Sequence, residues 1–496
     1  MTFVQNFPFI SIIVSLFSGA VSSILSGRTA RVINRIVVIT VAILSAVTLA
    51  YTWRTGTSYV FWMGHFPAPF GNEIRVGVLE AGMAVFFCLI VLLSLWGGRE
   101  HMEMEVEESK QNYYYILTNL LLCSLLALVY TNDLFTAYVF VEINTISACG
   151  LIMITQTGRT IEAAVRYMIM SLLGSGLLLM GLCILYDLTG HLLMSNIQEA
   201  VAVLHASGEY TIPLTITIGL VTVGLAIKSA LFPFHTWVPD AYGYSTASSA
   251  AILSGLVSKG YIFLLIKIIY RVIGFETFHD TKIVNVLFVF GLAGMIFGSL
   301  SAIKENNIRR MIAFSSVAQI GYIYMGIGMG TQAGMVAAVF HIFSHAATKA
   351  LLFIAGVGLT DASGNNVQFI HLTGAAYRNK IAGVAFAAGS LSMVGMPLLS
   401  GFISKLLFAQ AAVQNQGKLL PTMIVLALST ILNAIYFIKT VIRIYTPTES
   451  DYEGRALSSQ KLFAVSAVLL VVLNLYLGSM SQFLVDLIEK GLGMFA

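Results

Sequence analysis

An apolar run of about twenty residues returns, with short interruptions, from one end of this chain to the other. Lipid offers no water to satisfy a backbone. A segment crossing ~30 Å of hydrocarbon must therefore close its hydrogen bonds within itself, as a helix. Fourteen spans are predicted, at about 8–26, 32–53, 76–96, 113–130, 133–155, 165–187, 211–232, 244–270, 283–303, 309–329, 332–359, 381–410, 420–446 and 460–488. Of 496 residues, 57% are hydrophobic and 10% are Asp, Glu, Lys or Arg. A soluble domain carries roughly 25% charged residues, so a soluble enzyme is excluded. Porin-type barrels are excluded as well, because their strands alternate apolar and polar residues. The expected class is an all-α integral membrane protein.

The connections are at most about 25 residues long and contain neither GxGxxG nor GxxxxGKS/T, so no domain for a nucleotide or flavin is expected. A net charge of +4 is too mild and scattered for a nucleic-acid footprint. Cys88, Cys123, Cys149 and Cys183 lie in apolar runs without CxxC spacing and read as core filler, with no metal site or cofactor expected. The first ten residues, MTFVQNFPFI, hold no Lys or Arg before the apolar run, so span 1 is expected to persist rather than be cleaved. With the N-terminus outside, the inner loops and flanks hold sixteen Lys/Arg, among them Arg99, Arg166, Arg309, Arg310 and Arg455. The outer ones hold seven: Arg54, Arg75, Lys267, Arg271, Lys282, Lys418 and Lys490. The bias predicts both termini outside.

Four cations remain inside spans: Lys228, Lys259, Lys349 and Lys405. An ionised Lys at a helix centre costs ~2.5–3.5 kcal/mol on insertion scales. The deep acids are Glu80 and Glu142 alone, so at least two lysines are expected in hydrated cavities or with readily lost protons. Glu142 sits mid-span and can pair with Lys228, whereas Glu80 reads either as an interfacial acid or as part of a path. Asp133 and Asp187 read as boundary or capping groups. In span 11, His341, His345 and Lys349 recur every four residues and project from one face about 6 Å apart. Three stacked titratable groups on an apolar helix suggest a proton relay, with packing as the plainer alternative.

Pro233 follows Lys228 by five residues, and Pro397 precedes Lys405 by eight. Each Pro removes a backbone bond and breaks its helix. Breaks in spans 7 and 12, five apart, point to two inverted five-helix repeats, spans 4–8 and 9–13. The expected organisation is residues 1–112 (spans 1–3), 113–272 and 283–446 (the repeats), and 460–496 (span 14).

The stretches DLFTAYVFVE, KSALFPFHTWVPDA, ILSGLVSKGY, IRRMIAFSSVAQIGYI, HIFSHAATKALLF and GMPLLSGFISK together resemble the antiporter-like membrane subunits shared by respiratory complex I and the Mrp-type multisubunit sodium/proton antiporters. The second of these holds His235, Trp237, Pro239 and Asp240. The resemblance implies a central proton axis through Glu142, Lys228, Lys259 and Lys405. It also implies partnership with other membrane subunits, including the large antiporter-like one, exchange of protons with Na+, and a bacterial inner membrane. One departure is AYGYSTASSA after Asp240, where relatives commonly carry a His and an Ala-Pro segment. Lys at 405 and the short chain after span 14 leave the D-type antiporter subunit and the shortest complex I subunit. Overall resemblance favours the D-type antiporter subunit, with the shortest complex I subunit as the alternative. No redox cofactor is implied for the chain itself.

Overall fold

The computed structural model describes residues 3–67, 71–448 and 461–495; Arg455 and position 460, the expected start of span 14, lie outside the described residues. Among the described residues, thirteen helices are long and apolar enough to cross a membrane. Span 12 supplies the fourteenth crossing in two shorter pieces, Lys380–Val394 and Ser400–Val413. The fourteen-span reading therefore stands.

Local chemistry sets several boundaries away from the hydropathy edges. Span 6 runs over Gly158–Thr189, longer than expected, because Thr157 Oγ1 accepts from Thr160 N at 3.4 Å and starts the helix outside the apolar run. Span 14 stops at Ser479, and Ser481–Gly493 is a separate helix that buries Leu484, Leu487, Ile488 and Leu492 on one face. The expectation of one helix to 488 is corrected. Asp486, Glu489 and Lys490 fall on the polar side of that last segment, which suits an interface and not a membrane crossing. The all-α reading takes one small correction, an antiparallel hairpin pairing Tyr59–Trp62 with Glu73–Val76. Asp133 does cap span 5, accepting from Thr136 N at 2.6 Å.

Burial orders the bundle. The apolar windows of span 8 (Ala247–Ile273) and span 11 (Gln332–Asp361) are 100% buried and that of span 10 (Ile308–Gly328) is 94% buried, whereas spans 1 and 2 (Phe3–Ser22 and Gly27–Thr55) are 33% buried. Spans 8, 10 and 11 are therefore the centre, and the first two are among the least buried. Glycines permit the closest approaches between helices. A Cβ on Gly174 would lie 2.8 Å from Gly224 O, locking span 6 to span 7 (Thr211–Lys228). One on Gly291 would lie 2.5 Å from Met325 N, locking span 9 (Ile283–Lys304) to span 10. Cys88, Cys123 and Cys149 are buried as filler, but Cys183 is exposed, correcting the expectation for that residue.

Candidate functional site

Glu142 and Lys228 meet across spans 5 (Leu134–Met153) and 7, with Lys228 Nζ 3.5 Å from Glu142 Oε1. Lys228 is fully buried at the last residue of its helix and donates to Thr145 Oγ1 at 2.8 Å. Ser175 donates to Glu142. Tyr261 closes the group: its ring centroid lies 5.5 Å from the ammonium, and its hydroxyl donates to Asn144 Oδ1 at 3.0 Å. The chain breaks directly after Lys228, where Ala230 takes φ +66° ahead of Pro233, and helix resumes at Val238–Tyr244.

Lys259 is fully buried in span 8, just after a π-helical turn at Leu253–Val257. Such turns shift the hydrogen-bond register and recur at functional sites. Here Lys259 Nζ donates to Ser254 O inside that turn and to Ser258 Oγ at 3.1 Å. Ser254 Oγ is 2.9 Å from Ser316 Oγ on span 10, and the adjacent Ser315 accepts from Lys349. Lys349 Nζ also donates to Ile312 O at 2.9 Å.

The expected span 11 face is present. The rings of His341 and His345 stack with centroids 5.7 Å apart, and Tyr322 stacks on His341 at 5.4 Å. His341 Nδ1 is 2.6 Å from Ser404 Oγ. Neither nitrogen of His345 has a hydrogen-bond partner among the described residues, although the residue is 1% exposed. Buried orphan polar atoms of this kind are ordinarily met by water.

Span 12 breaks at Gly395 (φ +92°) and Leu398 (φ +71°), on either side of Pro397. Lys405, in the second half, reaches back across the break: its Nζ donates to Val394 O at 2.6 Å and to Thr430 Oγ1 at 2.9 Å. It thereby caps the first half-helix, whose terminal carbonyls lack intrahelical partners.

The ion count needs correction. Lys267 and Arg271, placed in an outer flank by sequence, are 0% and 1% exposed within span 8. Arg271 Nη2 pairs with Glu80 Oε1 at 2.6 Å, and Glu80 Oε2 accepts from Gly77 N at 3.1 Å at the start of span 3 (Val78–Gly97). Lys267 Nζ donates to Leu128 O, Val129 O and Thr131 O at the end of span 4, at 3.2, 2.8 and 2.6 Å. Glu80 is thus committed to Arg271. Among the described residues, Glu142 is the single carboxylate paired with any of Lys228, Lys259, Lys349 and Lys405.

At one membrane face, Asp240 accepts from Arg166 Nη1 at 2.8 Å and from Arg310. Nearby, His101 lies 2.8 Å from Glu105 Oε1 and 3.2 Å from Asp361 Oδ1, with Arg309 Nη2 2.7 Å from its Nε2. Burial disfavours a charged imidazole there, but the Asp361 and Glu105 carboxylates outweigh both burial and Arg309 and raise its pKa above 6.5.

Sequence reasoning missed the hydroxyl partners Thr145, Ser175, Ser254, Ser315, Ser404 and Thr430. A signal existed for Lys267 and Arg271, eight and twelve residues beyond Lys259 in the same span.

Comparison with known proteins matches residues 131–432 to the family described as NADH:quinone oxidoreductase/Mrp antiporter, TM. The chain is 32% identical over 403 residues to NADH-quinone oxidoreductase subunit N of Desulforudis audaxviator, covering 81% of this chain and 78% of that protein. It is 26% identical over 392 residues to the D-type Na(+)/H(+) antiporter subunit of Alkalihalophilus pseudofirmus, covering 79% and 77%. Its fold matches a chain of the Mrp complex from Dietzia sp. DQ12-45-1b with a TM-score of 0.87 at 24% identity, over 99% of this chain and 97% of that one. With more than half its length matched, and with the charged spans and both helix breaks inside the match, the chain belongs to the family of membrane subunits shared by NADH:quinone oxidoreductase and the Mrp antiporters.

Proposed function

We propose that this chain is the proton-translocating membrane subunit of a multisubunit sodium/proton antiporter. Protons would pass along Glu142, Lys228, Lys259, Lys349, His345, His341 and Lys405. One observation carries the reading: Lys259, Lys349 and Lys405 are each held by one carbonyl and one hydroxyl, with no carboxylate among the described residues. A carbonyl accepts from an ammonium or from an amine. A hydroxyl can accept from the ammonium and, after rotation, donate to the lone pair of the amine. Such a shell fits both protonation states, as a relay requires, whereas a carboxylate would favour the charged form.

The inverted five-helix repeats expected from the two breaks would place Lys228 and Lys405 at corresponding positions, each at a broken helix. The positive-inside count supports both termini outside, and the family resemblance supports a bacterial inner membrane. Other membrane subunits, including a large antiporter-like one, would complete the assembly. The similarity to subunit N favours a second reading, in which redox subunits of a quinone oxidoreductase drive the same relay. Both are tested by reconstituting the assembly in vesicles and following internal pH with Na+ pulses, with and without NADH. A Na+-driven pH change independent of NADH is the expected result. A pH change that needs NADH and ignores Na+ would replace the first reading with the second.

A further inference from the structure

Span 14 carries two polar side chains deep into the bundle that the axis does not use: Ser466, whose hydroxyl donates to Leu93 O at 2.6 Å, and Asn474. Asn474 is 0% exposed, and its Nδ2 donates to Leu470 O at 2.9 Å, which turns Oδ1 toward the break in span 12. There Oδ1 meets three hydroxyls: Thr348 Oγ1 at 2.6 Å, Ser400 Oγ at 3.1 Å and Ser392 Oγ at 3.4 Å. Ser392 Oγ in turn lies 3.3 Å from Thr348 Oγ1 and 3.2 Å from Ser400 Oγ. The four oxygens come from span 11, both halves of span 12 and span 14, and none of their residues is more than 1% exposed. An amide oxygen has two lone pairs, so three hydroxyls around it exceed what it can accept. Thr348 has another acceptor for its hydrogen, Ser344 O at 2.8 Å, which frees its lone pairs toward the cluster. Ser392 lies two residues before the end of its half-helix, where the helix dipole is negative. In membrane transporters, broken-helix ends of this kind are where small cations are coordinated.

We propose that Thr348, Ser392, Ser400 and Asn474 form a binding site for a dehydrated monovalent cation of sodium size. The inference rests on the antiporter reading and deepens it. Hard cations take hydroxyl and amide oxygens, and a ligand set with no carboxylate suits a single charge better than a divalent ion. The titratable groups around the cluster are His341, His345 and Lys349 of span 11 and Lys405 of span 12. Lys349 follows Thr348 directly, and Lys405 binds Val394 O, two residues past Ser392. With no carboxylate paired to Lys349 or Lys405 among the described residues, a cation in the cluster and protons on these lysines exclude one another. Entry of the cation displaces protons, and protonation expels the cation.

The test uses the intact assembly purified in detergent, with radioactive-sodium binding and the unfolding temperature measured in NaCl and in choline chloride at equal ionic strength. The wild type is expected to bind sodium and to unfold at a higher temperature in NaCl, increasingly so as pH rises. Asn474→Asp, which adds a carboxylate, is expected to tighten sodium binding about tenfold, and Ser400→Ala to weaken it about tenfold. Identical unfolding in the two salts for the wild type, or variants that shift unfolding equally in both, would show a hydrogen-bonded clamp and overturn the site. Glu142→Gln separates the two readings. If it blocks proton movement while Asn474→Asp leaves sodium binding unchanged, the site fails and the antiporter reading stands; if sodium binding follows Asn474 while proton flow ignores Glu142, the reverse holds.

Discussion

Neutralising Glu142 tests the axis where its electrostatics are simplest. At 3.5 Å and an effective dielectric of ~20, the attraction between Glu142 and Lys228 is about 5 kcal/mol. Glu142 is 26% exposed at its side chain, which lowers that figure to about 2–5 kcal/mol once solvent or a neighbouring subunit shares the site. Glu142→Gln keeps the shape and can still hydrogen-bond Ser175, while Lys228 keeps Thr145 at 2.8 Å. Assembly should survive. What is lost is the one carboxylate paired with Lys228 among the described residues, and ~2 kcal/mol corresponds to about a 30-fold effect. Proton movement in inverted membrane vesicles, followed with a pH-sensitive dye, should therefore fall at least about 30-fold, with Glu142→Asp intermediate. Near wild-type movement by Glu142→Gln in a fully assembled complex would make the pair merely structural and refute the reasoning.

Four further outcomes are expected. His345→Ala should slow proton movement on the order of 10²-fold and shift its pH profile; an unchanged profile would assign His345 to packing. Lys405→Ala should abolish transport while costing only about 1–3 kcal/mol of stability through the uncapped Val394 carbonyl, and Lys405→Glu should recover part of the transport; loss of the complex from membranes in Lys405→Ala would favour a structural role. Arg271→Leu should cost about 3–5 kcal/mol and prevent assembly by leaving Glu80 buried and unpaired, whereas Arg271→Met with Glu80→Leu should restore it, as recovery of intact complex would show. Because the folded His101 pKa is raised above 6.5, its stabilising contribution is full below pH 6.5 and lost as pH rises through the folded value. Unfolding temperature should accordingly decline over that window in the wild type and stay flatter in His101→Gln.

What could be read from the sequence follows from what lipid enforces. A span must be apolar and about twenty residues long, so thirteen continuous helices and the broken twelfth were legible, and a lysine inside such a run cannot hide. Pro233 and Pro397 marked both breaks because a missing N–H has local consequences. Lys267 and Arg271 were misplaced because a cation near a span end normally snorkels to the interface. Only the three-dimensional meeting with Glu80 and with the end of span 4 shows that these two stay inside. The hydroxyls escaped for a different reason. Ser and Thr commonly return their hydrogen to the preceding turn, as Thr118 does to Tyr114 O at 2.8 Å, so their presence in a span carries no signal until a partner helix arrives. Likewise, the helix beyond Met480 docks through Leu487 against Gly82, a long-range contact with no local mark.

The distribution of charge along the axis bears on how it can work. One end has a carboxylate, Glu142, beside Lys228; beyond it the hydrogen bonds of Lys259, Lys349 and Lys405 go to neutral partners. In a low-dielectric interior, adjacent ammonium groups raise the cost of one another's charge, so protons leave and arrive as coupled steps and not independently. Spans 8 and 11 hold Lys259 and Lys349, with span 10 supplying acceptors to Lys349, on the most deeply buried helices, which limits relaxation by solvent there. In the proposed relay, a change in the Glu142–Lys228 separation would alter the charge that the next lysine can bear, and the effect would pass by repulsion from site to site. The row ends at the two breaks, where Lys228 ends one half-helix and Lys405 caps another. Both ends of the row thus lie at broken helices, while Lys259 and Lys349 in the middle lie on the fully buried spans 8 and 11, an arrangement that would suit the proposed relay if access to either side of the membrane were gated at its ends.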